Sequence, residues 1–232
     1  LAALRDRLFE MAAVQRHHLV LDLNAGSGLL TWEATRRAPE GGVWALTADA
    51  TAGEALRQQA ARLTEVERPV ILIGAAEELD YLFSLRGEED VRFDRILGRN
   101  ALSRPDRLSA TCQVLTNLLL PGGRLVLAQA IPRHTQRLYD LVSWGRATAL
   151  REKVVAAEEA IYADAADPLV NWDADDLRAA LEAAGLRDVR VTVEEQTEER
   201  RITGGHLERW FPALSPALRE GLGEGSMGKD PL

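Results

Sequence analysis

Cysteine is almost missing from this chain. Its 232 residues contain one, Cys112, so no internal disulfide can form. The simplest setting for such a chain is a reducing one, the cytoplasm. Cys112 reads as a small core residue rather than a nucleophile. The four histidines, His17, His18, His134 and His206, are scattered with no Cys/His ligand spacing, so no metal site is expected. No apolar run reaches ~18 residues, so no membrane span is expected. The N-terminus lacks the basic-then-apolar order of a signal peptide. Gly-Lys-Ser/Thr does not occur, which excludes a phosphate-binding Walker loop. Positive charge is also short. Twenty-eight basic residues face 36 acidic ones, a net charge of −8. Non-specific binding of nucleic acid is therefore not expected. The basic clusters at 133–137 and at Arg200-Arg201 read as solvated faces. Aromatic residues make up only 5%. Trp44, Trp144, Trp172 and Trp210 read as core or interface residues, and Trp32 is placed where it could touch a ligand.

What remains is ordinary globular material, 46% hydrophobic and 28% charged. The length suits one domain with a real core, with room for an appendage. The chain starts at Leu1 rather than Met and ends in a polar, glycine-rich stretch at 221–232. Both features suggest a piece of a longer protein.

Apolar runs alternate with helical patterns. Residues 1–16 read as a helix, with Leu1, Leu4, Leu8, Met11 and Ala12 on one stripe. Strands are expected at Leu19–Leu23, Val43–Thr47, Val70–Ile73, Phe93–Leu97 and Arg124–Ala128. Helices are expected between them at 29–38, 51–63, 76–86 and 106–119. The strands alternate little between apolar and polar, as parallel strands covered on both faces do. Gly41-Gly42 and Pro121-Gly122-Gly123 stand as turns just before strands. The expected fold is α/β, a doubly wound, mostly parallel sheet with helices on both faces. Beyond 130, residues 134–163 look mostly helical, with a break at Gly145. Asp173 caps a helix to Ala184, Gly185 ends it, and a strand is expected at Val189–Glu194. Residues 206–222 carry a further apolar-spaced segment. The division expected is an α/β domain over 1–205, with a helical insertion near 134–170, and a helical and polar tail over 206–232.

One stretch carries chemistry. In 19–30 an apolar run ends in Asp22, the turn Asn24-Ala25-Gly26-Ser27-Gly28 follows, and an amphipathic segment opens. This order is strand, tight glycine loop, helix N-terminus, a cradle for a nucleotide-like ligand. Glycine lets a ligand approach the backbone, and the helix start presents unpaired N–H groups. The dinucleotide fingerprint's glycine spacing is not met, which sets a nicotinamide-dependent reading aside.

By order of motifs over about 15–195, the chain resembles the class I S-adenosylmethionine (SAM)-dependent methyltransferases. Asp22 to Gly28 resembles their first motif, Phe93-Asp94-Arg95-Ile96-Leu97 the fourth-strand motif, and Leu119 to Leu127 the leucine, proline, two-glycine turn into the fifth strand. Trp172 to Val191 resembles their late helix, glycine and strand. The resemblance implies a Rossmann-like methyltransferase fold with SAM as cofactor and an unidentified methyl acceptor. It places Asp22, Asn24, Gly26, Gly28, Thr47, Asp49 and Gly74 at the cofactor. Asn100 is the residue that would accept a hydrogen bond from a substrate amine, and Arg99 one that could bind an anionic substrate.

The chain departs from the family in two places. Thr47 stands where the second strand usually ends in an acid that holds the ribose, with Asp49 two residues on. Ala75 stands where an acid usually meets the adenine amine. Each lost charged hydrogen bond is worth roughly 1.5–3 kcal/mol. After the fourth strand, Gly98-Arg99-Asn100-Ala101-Leu102 lacks the prolines of amino-methylating enzymes. The alternative to an enzyme is therefore a non-catalytic module of this fold, an interaction or regulatory part of a larger protein. A bacterial AAA-type ATPase of DNA replication or recombination is the fusion considered.

Overall fold

The computed structural model describes residues 1–102, 107–167, 169–195, 201 and 203–205. Among them five strands form one sheet: β1 (Leu19–Asp22), β2 (Gly42–Thr47), β3 (Val70–Ile73), β4 (Phe93–Arg99) and β5 (Leu119–Ala128). Their spatial order is β3-β2-β1-β4-β5, and every neighbouring pair is parallel. Among the described residues, seven α-helices accompany them: α1 (Ala2–Ala12), α2 (Leu29–Arg37), α3 (Ala50–Ala60), α4 (Leu79–Ser84), α5 (Leu108–Leu118), α6 (Thr148–Ala163) and α7 (Ala174–Ala183). The expected α/β doubly wound fold is present.

Residue alternation along the strands assigns the two faces. Val20, Val43, Leu97 and Val126 pack with Leu8, Phe9 and Ala12 of α1 and Leu30 and Ala34 of α2. Ala45 and Ile71 meet Leu56 of α3 on that side. The alternate residues Leu21, Leu46, Leu72 and Ile96 pack with Leu79 and Phe83 of α4, Cys112 and Leu115 of α5, and Leu177 and Leu181 of α7. Cys112 is fully buried, and burial pushes its thiol up to about 11, so it is inert core at neutral pH. Trp44 lies edge-on to Phe93 in the same layer, and its indole donates to Glu88 at 3.0 Å.

Two arginines fasten α1 to the sheet. The guanidinium of buried Arg95 donates to the Ala12 carbonyl and, at 2.6 Å, to the Asp94 carbonyl. Arg124 reaches the Met11 carbonyl at 3.2 Å. Both satisfy the unpaired carbonyls at a helix C-terminus, where a cation also suits the helix dipole.

Four local expectations are corrected. The Pro121-Gly122-Gly123 turn does not precede β5. It bulges from within it, because Leu119 already pairs with Phe93 before Arg124 pairs with Arg95. Gly122, at φ +80°, makes that bulge possible. Residues 134–163 are helical only from 148. Before that come two short 3-10 turns, Pro132–His134 and Leu138–Leu141, the second held by Glu158, which accepts from the amides of Leu138 (2.7 Å) and Tyr139 (3.1 Å). Residues 189–194 are not a strand. Leu186 and Val189 pack against the α4–α5–α7 layer instead, so their apolar surface is covered without sheet pairing. Helix α4 starts at Leu79, three residues after the expected 76, behind a single 3-10 turn.

The chain divides into two compact units, Leu1–Thr192 and Val193–Leu232. The first holds every element above. Nearly all of the second, including the expected tail over 206–232 and Trp210, lies outside the described residues. Among the described residues, no helix is long and apolar enough to cross a membrane, and no cluster of His, Cys, Asp and Glu could hold a metal ion.

Candidate functional site

In a doubly wound sheet, ligands bind beyond the carboxyl ends of the strands, where the strand order reverses. Here that point falls between β1 and β4. The loop after β1, residues 23–28, and the loop after β4, residues 100–102, therefore flank the crevice.

Asp22 anchors the first loop from below. It is fully buried, on the face covered by α2. Its Oδ2 accepts from the Thr31 hydroxyl at 2.7 Å, and its Oδ1 accepts from the Asn24 amide at 3.3 Å. The Thr31 amide also donates to it. Burial pushes its carboxyl up to about 6 although these bonds pull the other way. Asp22 thus ties the loop to the first turn of α2. Thr31 is the partner that sequence reading missed, and its signal is a hydroxyl nine residues after a strand-end acid.

Above Asp22 the backbone opens. Gly26 sits at φ +50°, and a side chain added there would meet only the Asn24 carbonyl, at 3.9 Å. Among the described residues, the Gly26 and Ser27 amides make no backbone hydrogen bond. The N-cap of α2 is Gly28, at φ +85°, which has no side chain to cap the helix start, and the Asp22 carboxylate takes the Thr31 amide from below. Gly28 does not open the cradle. A Cβ there would lie 2.2 Å from Nε1 of Trp32 and 2.9 Å from Cδ2 of Leu56. Its bare α-carbon serves the packing of α2 on α3, where Trp32 joins Ala25, Ala45, Leu56 and Ile71.

Asn24 crosses the crevice. Its Nδ2 donates to the carbonyls of Arg99 (3.0 Å) and Asn100 (3.1 Å). Asn100, at φ +49°, uses its Oδ1 to accept from the Ala130 amide at 2.9 Å. Gln129 adds a third link, accepting from the Leu102 amide at 3.1 Å. Three side-chain amides thereby lock together the rims of β1, β4 and β5. Gln129 is a residue that sequence reading missed, since a lone glutamine after a strand carries no pattern.

The ends of β2 and β3 offer fewer free groups. Thr47 is buried, and its hydroxyl accepts from the Asp49 amide at 3.2 Å. Asp49 caps α3, with Oδ1 accepting from Thr51 (2.8 Å) and Ala52 (3.2 Å). Its Oδ2 is unengaged among the described residues. The Gly74 amide donates to the Thr47 carbonyl at 3.0 Å, and Glu78 accepts from Ala75 at 2.8 Å. The sequence-predicted residues therefore fall at four strand ends of one rim. Asn24, Gly26 and Asn100 gather at the switch point, Asp22 and Gly28 support it from within the packing layer, and Thr47, Asp49 and Gly74 stand along β2 and β3.

A broad concavity lined by Gln15, Arg16, His17, Arg36, Arg37 and Glu40 lies at the opposite, amino rim. Its arginines are already matched, Arg16 to Glu40 at 2.7 Å and Arg36 and Arg37 to Glu33 at 2.6 Å. It also adjoins the C-terminal ends of α1 and α2, where an anion is disfavoured.

Comparison with solved structures places this architecture. The chain is similar to the mycolic acid cyclopropane synthase CmaA1, solved with SAH and CTAB. Identity is 16% and the TM-score 0.59, over 96% of this chain and 70% of that one. The cyclopropane synthase MmaA2 from Mycobacterium tuberculosis gives 16% identity and a TM-score of 0.55, over 79% and 60%. Coclaurine N-methyltransferase, solved with N-methylheliamine and SAH, gives 21% identity and a TM-score of 0.45, and this chain spans only 34% of its length. The fold is the Rossmann-like fold of SAM-dependent methyltransferases. No protein-family model matches the chain, and no curated protein matches it.

Proposed function

We propose that this chain transfers a methyl group from SAM to an acceptor still to be identified, with the cofactor lying over the loop at Gly26. The observation that carries the reading is the open turn at the switch point, with its two unpaired amides. Gly26 leaves room above the backbone, and the Gly26 and Ser27 amides and the start of α2 offer N–H donors to a carboxylate such as that of the cofactor's amino-acid end. That end of SAM fits these residues. Oδ2 of Asp49, at the end of β2, is the carboxylate oxygen that would hold its ribose. SAM supplies an already activated methyl on a sulfonium, so the protein's part is positioning. Asp22 holds the loop through Thr31 and Asn24, and Asn24, Asn100 and Gln129 fix the acceptor side of the rim. In this reading the acting unit is the α/β part of 1–205, in the cytoplasm.

A second reading rests on a specific observation. Asp49 caps α3, Thr47 is buried, and Ala75 replaces an acid, so the β2 and β3 ends hold a ribose and an adenine poorly. The chain would then be a non-catalytic interaction module of a larger protein, with an AAA-type ATPase as one fusion partner. Thermal unfolding with SAM and SAH separates the two. Ligand at 100 times Kd stabilises the native state by about 2.7 kcal/mol. A rising Tm supports the enzyme. An unchanged Tm at millimolar ligand overturns it in favour of the module.

A further inference from the structure

Arg99 is the last residue of β4, beside the crevice where the strand order reverses. Asn24 fixes its carbonyl at 3.0 Å from across that crevice, so its backbone is set by the glycine loop itself. Its side chain is exposed, following Arg95 and Leu97 in the strand's alternation but beyond the end of the helix-covered layer.

The neighbouring rim arginines are matched. Arg107 meets Glu77 at 2.6 Å, Arg133 meets Asp173 at 3.8 Å, and Arg137 meets Glu159 at 2.8 Å. Among the described residues, the Arg99 guanidinium has no partner. The start of α2 faces the same rim and adds positive potential. The rim carboxylates are engaged as well, Glu77 by Arg107, Asp173 by Arg133, Asp49 at the start of α3 and Glu78 on the Ala75 amide.

We infer that Arg99 receives an anionic group, a carboxylate or a phosphate, carried by the methyl acceptor. This rests on the methyl-transfer reading, which assigns the Gly26 and Ser27 amides to the cofactor and leaves the β4 side of the crevice to the acceptor. Guanidinium suits the task because its planar fork binds either oxyanion through two parallel hydrogen bonds. The group binds and orients, and the nucleophile lies elsewhere on the acceptor.

The test is titration of the full chain, saturated with SAH, with acetate and separately with inorganic phosphate, followed by the arginine Nε–H signals in NMR. Arg99 is assigned from an Arg99→Gln variant. Arg62, exposed in the turn after α3, is the control for non-specific ion binding. The Arg99 signal should shift saturably, at an anion concentration at least about fivefold below any change at Arg62. The anion that acts at lower concentration identifies carboxylate or phosphate as the source. Arg99→Lys should bind several-fold more weakly than wild type, since it keeps the charge and loses the fork. An Arg99 response no stronger than that of Arg62 overturns the inference. So does a response to SAH alone that abolishes the response to anions, because Arg99 then holds the cofactor. If SAH does not bind while Arg99 still responds to anions, the anion site stands and the methyl-transfer reading, with the acceptor role, falls.

Discussion

The hydroxyl of Thr31 donates to the buried carboxylate of Asp22 at 2.7 Å and so ties the end of β1 to the first turn of α2. The glycine loop closes over this bond. The turn that opens at Gly26 is therefore set by a charge beneath it that no ligand reaches.

That charge has a pH signature. The Asp22 carboxyl lies at about 6 in the folded protein and near 3.8 when unfolded. Its folded pKa is raised, so its contribution to stability is fully present below about 3.8 and is lost as pH rises through about 6. A shift of this size corresponds to about 3 kcal/mol. Asp22→Asn removes the titration and keeps an acceptor for Thr31. The stability of this variant relative to wild type should rise by roughly 2–3 kcal/mol between pH 4 and pH 8. Urea unfolding of both proteins across that range checks this, and parallel curves would contradict it.

Glu33 carries the opposite sign. Its carboxyl is held down at about 2, first by its hydrogen bond from Arg36 and also by Arg37. A depressed folded pKa gives stability that is present above the unfolded value of 4.5 and lost as pH falls toward 2. Glu33→Gln should cost about 1–2 kcal/mol at pH 7, discounted for the exposed Arg36 partner, and close to nothing near pH 2. Acid titration of the unfolding midpoint reads this difference.

The two loop glycines should separate fold from binding. Gly28→Ala drives a methyl into Trp32 and Leu56 at a left-handed φ. The cost should be about 2–4 kcal/mol of stability, from strain and overpacking together. Gly28→Ala combined with Trp32→Ala should recover part of the clash. Gly26→Ala has room and suffers only the left-handed backbone, about 1–2 kcal/mol. Its larger effect should be on SAH affinity, measured by calorimetry.

How much of this could be read in the sequence depends on the range of the interactions. The parallel sheet was legible because Val20, Leu21, Ile96 and Leu97 are buried on both faces and leave apolar runs. The Gly26 turn was legible because its left-handed backbone favours glycine. The direction in which Gly28 faces was not, since Trp32 and Leu56 meet it only after two helices pack. Residues 189–194 show how periodicity misleads, because the same apolar spacing can be covered by helix packing or by sheet pairing. The Asn24, Asn100 and Gln129 links span up to 76 residues, and no local pattern announces them.

The most direct measurement is the backbone amide NMR spectrum of the full chain titrated with SAH. The amides of Gly26, Ser27 and Leu29 should shift saturably, while those of Gln15, Arg16 and His17 at the opposite rim stay in place. Unmoved loop amides at millimolar SAH, or shifts centred on the amino rim, would contradict the account.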